Sequence, residues 1–231
     1  MQNIGTPGID VRNASAPNAD VQSSPQNTSP RNIETPTTEA KATEALTQAL
    51  TTPRLLLRRW QKSDLQPFAC LNADPEVMRY FPYRLGRPAS DAFVDHIEAC
   101  FEQQGFGLWA VELRESGEFI GFIGLKKPTF NAHFTPAVEV GWRLAREYWG
   151  QGYATEGARC AVTYGFQAVG VDEIVSFTAG GNQRSRAVME RLGMTHCAED
   201  DFDHPTLPKG HELQRHVLYR MGKDRWRSLQ A

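Results

Sequence analysis

The sequence has no strong excess of charge of either sign. Its 231 residues carry 25 Lys and Arg against 27 Asp and Glu, which gives a formal net charge of -2. Proteins that bind nucleic acids through phosphates usually carry a basic run or stripe, and this chain has no such run. We therefore expect no nucleic-acid partner.

Long hydrophobic runs are also missing. A helix needs roughly 20 apolar residues in succession to cross a bilayer, and no stretch of this chain approaches that length. The amino-terminal region lacks the basic segment followed by an apolar segment that is typical of a secretion signal. These absences predict a cytoplasmic protein with no membrane partner.

Cysteine is scarce and forms no recognisable pattern. The chain has no C-x-x-C pair and no histidine at zinc-finger spacing among its four cysteines, Cys70, Cys100, Cys160 and Cys197. This predicts buried or inactive thiols in a reducing compartment, and no metal. A cysteine nucleophile at Cys160 or Cys197 is disfavoured, because neither residue has a catalytic motif around it.

Periodic apolar residues are absent from the first 52 positions. Residues 1–52 are rich in Pro, Ser, Thr, Asn and Ala, and their apolar residues are isolated. Such a segment buries too little surface to offset the entropy lost on ordering, so we expect a disordered tail. From Pro53 the chain is dense in apolar residues and lacks internal repeats, which predicts one domain over 53–231.

Strand-like and helix-like segments alternate in this domain. Short runs of apolar or alternating residues predict strands at 54–60, 107–113, 118–125, 137–144, 173–179 and 212–221. Helical spacing and capping residues predict helices at 63–71, 88–104, 154–169 and 184–192. Hairpins join the early strands and helices join the later ones, so the pattern indicates an α/β fold with a mixed sheet and helices on its faces.

One glycine-containing turn, YWGQGYATEG at 148–157, precedes the third predicted helix. Unpaired N–H groups at the positive end of a helix dipole favour phosphate. Gly150, Gly152 and the small Ala154 would let a pyrophosphate come close to the main chain. The alternative interpretation is a plain tight turn.

Two other nucleotide-binding motifs match this turn less well. The chain has no G-x-x-x-x-G-K-[ST], which argues against a P-loop nucleotidase. A dinucleotide-binding Rossmann turn would have a third glycine at Thr155 and would follow its strand directly. Here residues 145–149 separate the strand from Gly150, and Asp172 and Glu173 begin the next strand instead of ending it. A nucleotide-dependent oxidoreductase is therefore a less favoured alternative.

Three sequence blocks together resemble the GNAT superfamily of acyl-CoA-dependent N-acetyltransferases. In chain order they are EVGWRLAREYWGQGYATEG (139–157), NQRSRAVMERLGM (182–194) and HPTLPKGHELQRHVLYRM (204–221). The resemblance covers about residues 53–220 and extends to the branch with the Rim-type ribosomal-protein N-terminal acetyltransferases. It implies a GNAT-type fold, α/β (α+β), with a mixed, mostly antiparallel sheet flanked by helices on both faces.

The resemblance also implies a binding site for acetyl-CoA as co-substrate. The family's phosphate loop, [QR]-x-x-G-x-[GA], matches positions 149–154, with tryptophan in place of its first residue. This implies that the pyrophosphate is bound by Trp149, Gly150, Gln151, Gly152, Tyr153, Ala154 and Thr155. The preceding strand would pair its main chain with the pantetheine arm at Trp142, Arg143 and Leu144. The N-x-x-S residues Asn182 and Ser185 would lie near the thioester, and Arg184 and Arg186 are candidates for a coenzyme phosphate.

The implied chemistry is direct transfer of the acetyl group to a neutral amine. An α-amine with a pKa of about 7.8 is about 30% neutral at about pH 7.4, against about 0.1% for a lysine amine. Glu139 is the candidate base, acting through water, and main-chain N–H groups at 140–142 are candidates to stabilise the oxyanion. Relatives commonly have a tyrosine acid where Met189 stands, so Ser185 is the candidate acid for the departing thiolate.

The acceptor is expected to be a primary amine, either a protein N-terminal α-amine or a small molecule such as an amino acid or an aminoglycoside. It is expected to contact the irregular segments 80–91, 128–136 and 199–211. The acidic residues of the last segment, Asp200, Asp201 and Asp203, either attract a cationic amine or form an ordinary acidic surface. A non-catalytic acyl-CoA-binding regulatory module is the main alternative function. The chain is expected to be a monomer or a homodimer.

Overall fold

The computed structural model describes residues 2–3 and 49–230 of the chain. The predicted disordered tail therefore lies mostly outside the described residues. Its last residues, Leu50–Thr51, form a short strand that pairs with Leu57 and Leu56 at the start of the domain.

A single mixed sheet organises the domain. Within the described ranges its strands are β1 (Gln2–Asn3), β2 (Leu50–Thr51), β3 (Leu55–Arg58), β4 (Leu108–Leu113), β5 (Phe119–Lys126), β6 (Val138–Leu144), β7 (Glu173–Ala179), β8 (Thr195–His196), β9 (Phe202–Asp203) and β10 (Arg215–Gly222). The strand order is β2-β3-β4-β5-β6-β7-β10-β8, with β1 also paired to β6 and β9 to β10. Of these described pairings, only β6–β7 is parallel. The prediction of a mixed, mostly antiparallel sheet is confirmed.

Helices cover both faces of this sheet. They are α1 (Leu65–Ala73), α2 (Arg87–Gln104), α3 (Tyr153–Tyr164), α4 (Gln183–Leu192) and α5 (Lys223–Ser228). Phe68 of α1 and Phe93 of α2 pack against Phe122 of β5. Gly157 of α3 lies against Ile123, the next residue of the same strand. Successive strand side chains point to opposite faces, so α1 and α2 cover one face, here called the α2 face, and α3 covers the other, here called the α3 face.

Two hydrophobic clusters form the interior. The larger one joins the sheet to its helices and contains the fully buried Trp109, Trp142 and Phe101. The smaller one consists of Phe134, Val175, Phe177, Phe202 and Leu218, with Phe130 packed against it. Phe130 and Phe134 belong to the β5–β6 connection (residues 127–137), and each ring centroid lies 5.7 Å from that of Phe177. This connection therefore folds over β7.

The predicted elements are all present, with differences at their ends. The third predicted helix is α-helical only to Tyr164, and residues 165–169 form a wider π turn. The two-residue strands β1, β2, β8 and β9 and the short helix α5 were not predicted, because so few residues carry no periodic signal. None of the described helices is long and apolar enough to span a membrane.

Candidate active site

Strands β6 and β7 begin as a parallel pair and then separate. Val138 pairs with Ile174 and Glu139 with Val175. At the next position the Ser176 hydroxyl donates to the Val140 carbonyl at 2.9 Å. Among the described residues, β6 and β7 form no strand pair after Glu139 and Val175. The edge of β6 from Gly141 to Leu144 therefore borders an opening, where an extended group can pair as an added strand.

Two amino-terminal residues pair with this edge. In antiparallel register, Gln2 lies opposite Arg143 and Asn3 opposite Trp142. The opening thus admits an extended main chain. This edge is the one that the sequence analysis assigned to the pantetheine arm through Trp142, Arg143 and Leu144. Because β1 and the pantetheine arm would use the same edge, a bound coenzyme would have to displace residues 2–3.

The predicted phosphate loop connects β6 to α3 on the α3 face. Gly150 and Gly152 have φ angles of 78° and 83°, a left-handed conformation that favours glycine. Gly152 is the last residue before α3, so the unpaired N–H groups of the first helical turn open at the loop. A Cβ atom placed on Gly150 would meet nothing within 4 Å. The loop therefore has both the N–H groups and the open space that a pyrophosphate requires.

Arg54 braces this loop, a role that the sequence analysis missed. Its Nη1 donates to the Gln151 carbonyl at 2.9 Å, and its Nε donates to Glu156 at 2.6 Å. Its guanidinium carbon lies 4.4 Å from the Tyr153 ring centroid. Glu156 stands in the first turn of α3, where a free carboxylate would repel phosphate, and the ion pair with Arg54 offsets that charge. No local motif joins Arg54 to a loop so distant in the chain.

Three cavities adjoin the loop and share lining residues. The largest, of about 850 Å³, is lined by Gly150, Gly152, Thr155, Arg159 and Arg191 among others. A second, of about 440 Å³, is lined by Trp149, Gly150, Gln183, Arg184, Ala187 and Arg191. A third, of about 190 Å³, reaches Tyr80 and Asn182. Together they form a path from the loop to the start of α4. Four arginines line it, Arg79, Arg159, Arg184 and Arg191, and they suit a phosphorylated ligand.

The two predicted arginines of α4 lie in different surroundings. The Arg184 guanidinium carbon is 4.6 Å from the Trp149 ring centroid and Arg184 lines two of these cavities. Arg186 instead donates to the Tyr219 hydroxyl at 3.4 Å. Arg184 is therefore the better placed of the two for a coenzyme phosphate.

Asn182 and Ser185 are brought together at the start of α4. The Asn182 side chain caps the helix by accepting from the Ser185 N–H at 3.3 Å. Its Nδ2 donates to the Thr178 hydroxyl at 2.9 Å and to the Ser185 hydroxyl at 3.2 Å. Both residues are buried. The Ser185 oxygen is thus held by a hydrogen bond from the Asn182 amide. Met189 is fully buried in the larger cluster.

Glu139 points to the opposite side of the sheet and is fully buried. It lies opposite Lys126 in the β5–β6 register, and the Lys126 Nζ is 3.2 Å from its carboxylate. Burial lowers the pKa of Lys126, and the Glu139 charge opposes that shift. Lys126 has the same parity in β5 as Phe122, so this ion pair lies on the α2 face. The carboxylate and the phosphate loop thus approach the sheet from opposite faces.

The Arg143 side chain has a structural role that the sequence analysis did not predict. It is 3% exposed, its Nη1 donates to the Asn72 side chain, and its guanidinium carbon lies 4.1 Å from the Phe81 ring centroid. Burial lowers its pKa to about 9. These contacts fasten the α1–α2 connection (residues 74–86) to β6. From that connection, the Tyr80 hydroxyl donates to the Gly181 carbonyl at 3.0 Å.

The acidic residues near β9 are engaged in ion pairs. Asp200 pairs with Arg220 and His133, while Asp201 pairs with His196 and Asp203 with Arg215. These contacts favour the interpretation of an ordinary acidic surface. In the described part of the chain, no three His, Cys, Asp or Glu residues are placed to hold a metal ion.

The four cysteines are free, and none is fully buried. Cys70 and Cys197 are exposed, whereas Cys100 and Cys160 are partly buried. The sequence predicted thiols that are either buried or inactive, and the prediction of buried thiols is wrong. Partial burial of the Cys160 thiol and the nearby Glu156 charge raise the pKa of this thiol. The higher pKa opposes formation of a nucleophilic thiolate.

Comparison with known proteins identifies the family. Residues 54–195 match the family model described as "Acetyltransferase (GNAT) domain". The FsC-acetyl coenzyme A-N(2)-transacetylase of Aspergillus fumigatus is 36% identical over 169 residues, which cover 69% of this chain and 70% of that protein. The crystal structure of an acetyltransferase from Agrobacterium tumefaciens has a TM-score of 0.62 and 28% identity, and the match covers 84% of this chain and 99% of that one.

A more distant structure shares the fold alone. The RimL ribosomal L7/L12 alpha-N-protein acetyltransferase, solved with coenzyme A, has a TM-score of 0.62 and 16% identity, over 77% of this chain and 99% of that one. The resemblance to the superfamily is thereby confirmed, while its extension to the Rim-type branch stays a prediction. The oxidoreductase alternative is wrong, because a Rossmann domain needs a parallel sheet and only β6–β7 is parallel among the described pairs. The chain belongs to the GNAT family of acetyltransferases and is an N-acetyltransferase.

Proposed function

We propose that the protein transfers an acetyl group directly from acetyl-CoA to a primary amine, with the two substrates held on opposite sides of the β6–β7 opening. The observation that carries this proposal is the placement of the glycine loop on the α3 face and of Glu139 on the α2 face. A substrate bound to each would meet at the separated strands without a covalent enzyme intermediate.

The coenzyme side is assigned to the loop and to the edge of β6. Residues 149–155 would hold the pyrophosphate, and the main chain of Trp142, Arg143 and Leu144 would pair with the pantetheine arm. The left-handed glycines and the cationic Arg159, Arg184 and Arg191 along the cavities support this assignment. Acetyl-CoA supplies the acetyl group as a thioester, and Asn182 and Ser185 would lie beside it.

Proton transfer is assigned to two buried residues. Glu139 would accept the proton of the attacking amine, through water, while Lys126 holds its carboxylate in place. Ser185 would donate its hydroxyl proton toward the departing thiolate, oriented by its hydrogen bond from Asn182. Main-chain N–H groups at 140–142 would stabilise the oxyanion.

The acceptor is a small amine or a protein N-terminal α-amine. The similarity to a transacetylase named for an N(2) nitrogen supports an amine acceptor. The shared fold with a ribosomal-protein α-N-acetyltransferase leaves the Rim-type function as the second candidate. The alternative of a non-catalytic acyl-CoA-binding module is not supported, because the chain belongs to a family of acetyltransferases.

A screen for acetylated products tests this proposal. The purified protein would be incubated with acetyl-CoA and separate pools of small amines, amino acids, aminoglycosides and amino-terminal peptides, and the products measured by mass spectrometry. We expect acetylation of at least one amine and binding of coenzyme A by calorimetry. Coenzyme binding without any acetylated product would contradict the proposed acceptor class, and absence of both coenzyme binding and acetylation would contradict the assignment of the loop.

A further inference from the structure

We propose that a cavity between α2 and the β5–β6 connection binds the part of the acceptor next to its reacting amine and selects an uncharged, mainly apolar group. The cavity has a volume of about 250 Å³. This inference rests on the proposed function and narrows its substrate class.

Most of the cavity wall is apolar. Its apolar side chains come from α2, from β4 and from the β5–β6 connection, and include Phe93, Ile97, Leu108, Pro128 and Phe130. Ile97 and Leu108 are buried to within a few per cent, so this wall is fixed by the core. An apolar chain bound here gains from leaving water, whereas a hydrated polar chain loses its water contacts.

Lys126 links the cavity to the predicted base. It lines the cavity, and its Nζ lies 3.2 Å from the Glu139 carboxylate. Glu139 itself is fully buried and does not line the cavity, so Lys126 is the side chain that contacts both the base and this space. An amine bound beside this pair would have its adjoining atoms in the cavity.

Charge in the lining selects against a second cation. Lys126 and Lys127 both contribute to the wall, and the described lining contains no Asp or Glu. A second ammonium group on the acceptor would face these lysines in a partly desolvated space, where like charges repel strongly. Polyamines and aminoglycosides are therefore poor acceptors.

The cavity wall also carries uncharged or weakly basic polar side chains, namely His96, Gln103, Gln104 and Thr129. The side-chain oxygen of Gln104, which lines the cavity, is buried without a hydrogen-bond partner among the described residues. A hydroxyl or amide N–H on the acceptor would satisfy it.

A matched pair of amines tests the charge selection on the unaltered protein. Pentylamine and 1,5-diaminopentane share a carbon chain and differ by a second amine. We expect kcat/KM for acetylation to be at least tenfold higher for pentylamine. Equal values, or a preference for the diamine or for an amino-terminal peptide, would overturn the proposal.

A cavity-filling variant tests the location, with binding as its readout. Cys100 lines the cavity, and we expect Cys100→Phe to weaken binding of 2-phenylethylamine at least tenfold, measured by calorimetry with coenzyme A present. The affinity for coenzyme A itself should not change. Cys70→Phe, an equal substitution at an exposed position of α1, is the matched control.

The two readouts separate this inference from the proposed function. If wild-type protein binds 2-phenylethylamine and Cys100→Phe does not, but no amine is acetylated, the proposed function fails and the cavity stands. Absent binding to wild-type protein, or equal binding by wild-type and Cys100→Phe, overturns the cavity. Thermal unfolding of each variant shows whether it is folded, and the pentylamine comparison decides the case if Cys100→Phe is not.

Discussion

The two faces of the sheet are built from different parts of the chain. On the α3 face, the loop and the β6 edge are continuous over 142–155, and Asn182 and Ser185 follow within one turn of α4. On the α2 face, Glu139, Lys126 and the cavity come from β6, β5, α2 and the β5–β6 connection. The first arrangement can bind one shared coenzyme by local backbone geometry, whereas the second can vary with the acceptor.

The largest expected effect is the loss of coenzyme binding on the α3 face. Gly152→Val places a β-branched residue at a φ of 83°, which only glycine tolerates readily, so the loop should lose its shape. We expect binding of coenzyme A to fall at least 100-fold in calorimetry. Gly117→Val is the control, because Gly117 has a φ of 73° in the distant β4–β5 hairpin. Equal loss in both variants would contradict the role of the loop.

The second effect distinguishes the α2 face from the α3 face, because it lowers turnover and leaves coenzyme affinity unchanged. Glu139→Gln removes the proposed base, so turnover should fall roughly 100-fold or more, while coenzyme affinity stays unchanged. The variant also leaves Lys126 without its ionic partner and should lower thermal stability. Glu173→Gln, at an exposed ion pair with Arg220, is the control and should change neither turnover nor thermal stability. An unchanged pH–rate profile in Glu139→Gln would remove that residue as the base.

The third effect concerns two buried histidines, His204 and His216, whose rings pack against Phe130 of the β5–β6 connection and Phe177 of β7. Burial lowers the pKa of both His204 and His216 from 6.5 to about 4, and for His204 the nearby His216 and Lys126 add to this. The unfolded chain binds more protons between these values, so the free energy of unfolding should fall as the pH drops from about 6.5 to 4. At about 1.36 kcal/mol per pH unit, each histidine contributes at most about 3 kcal/mol.

Chemical denaturation at several pH values measures this dependence. In His204→Gln and His216→Gln the slope between about pH 4 and 6.5 should decrease. His211→Gln is the control, because His211 is only partly buried, whereas His204 and His216 are buried and their rings pack against Phe130 and Phe177. A slope that is identical in all three variants and in wild type would contradict the buried, neutral state of these rings.

The fourth effect tests the proposed acid. Ser185→Ala should lower kcat about tenfold, because the departing thiolate loses one hydrogen-bond donor. Coenzyme affinity should change little. Ser116→Ala, in the exposed β4–β5 hairpin, is the control. If kcat is unchanged in Ser185→Ala, the thiolate leaves without help from this hydroxyl.

The smallest effect concerns the edge shared by β1 and the pantetheine arm. Because Gln2 and Asn3 pair with Arg143 and Trp142, removal of residues 1–48 should tighten coenzyme binding a few-fold. Calorimetry with the full chain and the shortened chain measures the difference. Weaker binding by the shortened chain would show that the segment supports the coenzyme instead of competing with it.

The sequence predicted the α3 face better than the α2 face, for a physical reason. Left-handed glycines before a helix and an N-x-x-S cap act through neighbouring residues, so their spacing is visible in the chain. The mixed character of the sheet followed from the hairpin and helix connections. Arg54, by contrast, reaches Gln151 and Glu156 from a distant strand, and the Lys126–Glu139 pair depends on strand register. Such contacts have no local signal.

Direct transfer requires both substrates to be bound at once, one on each face of the sheet. Initial rates measured against acetyl-CoA, at several fixed concentrations of an accepted amine, test this directly. We predict double-reciprocal lines that intersect, as direct transfer in a ternary complex requires. Parallel lines, the signature of a ping-pong reaction through an acetylated enzyme, would contradict it.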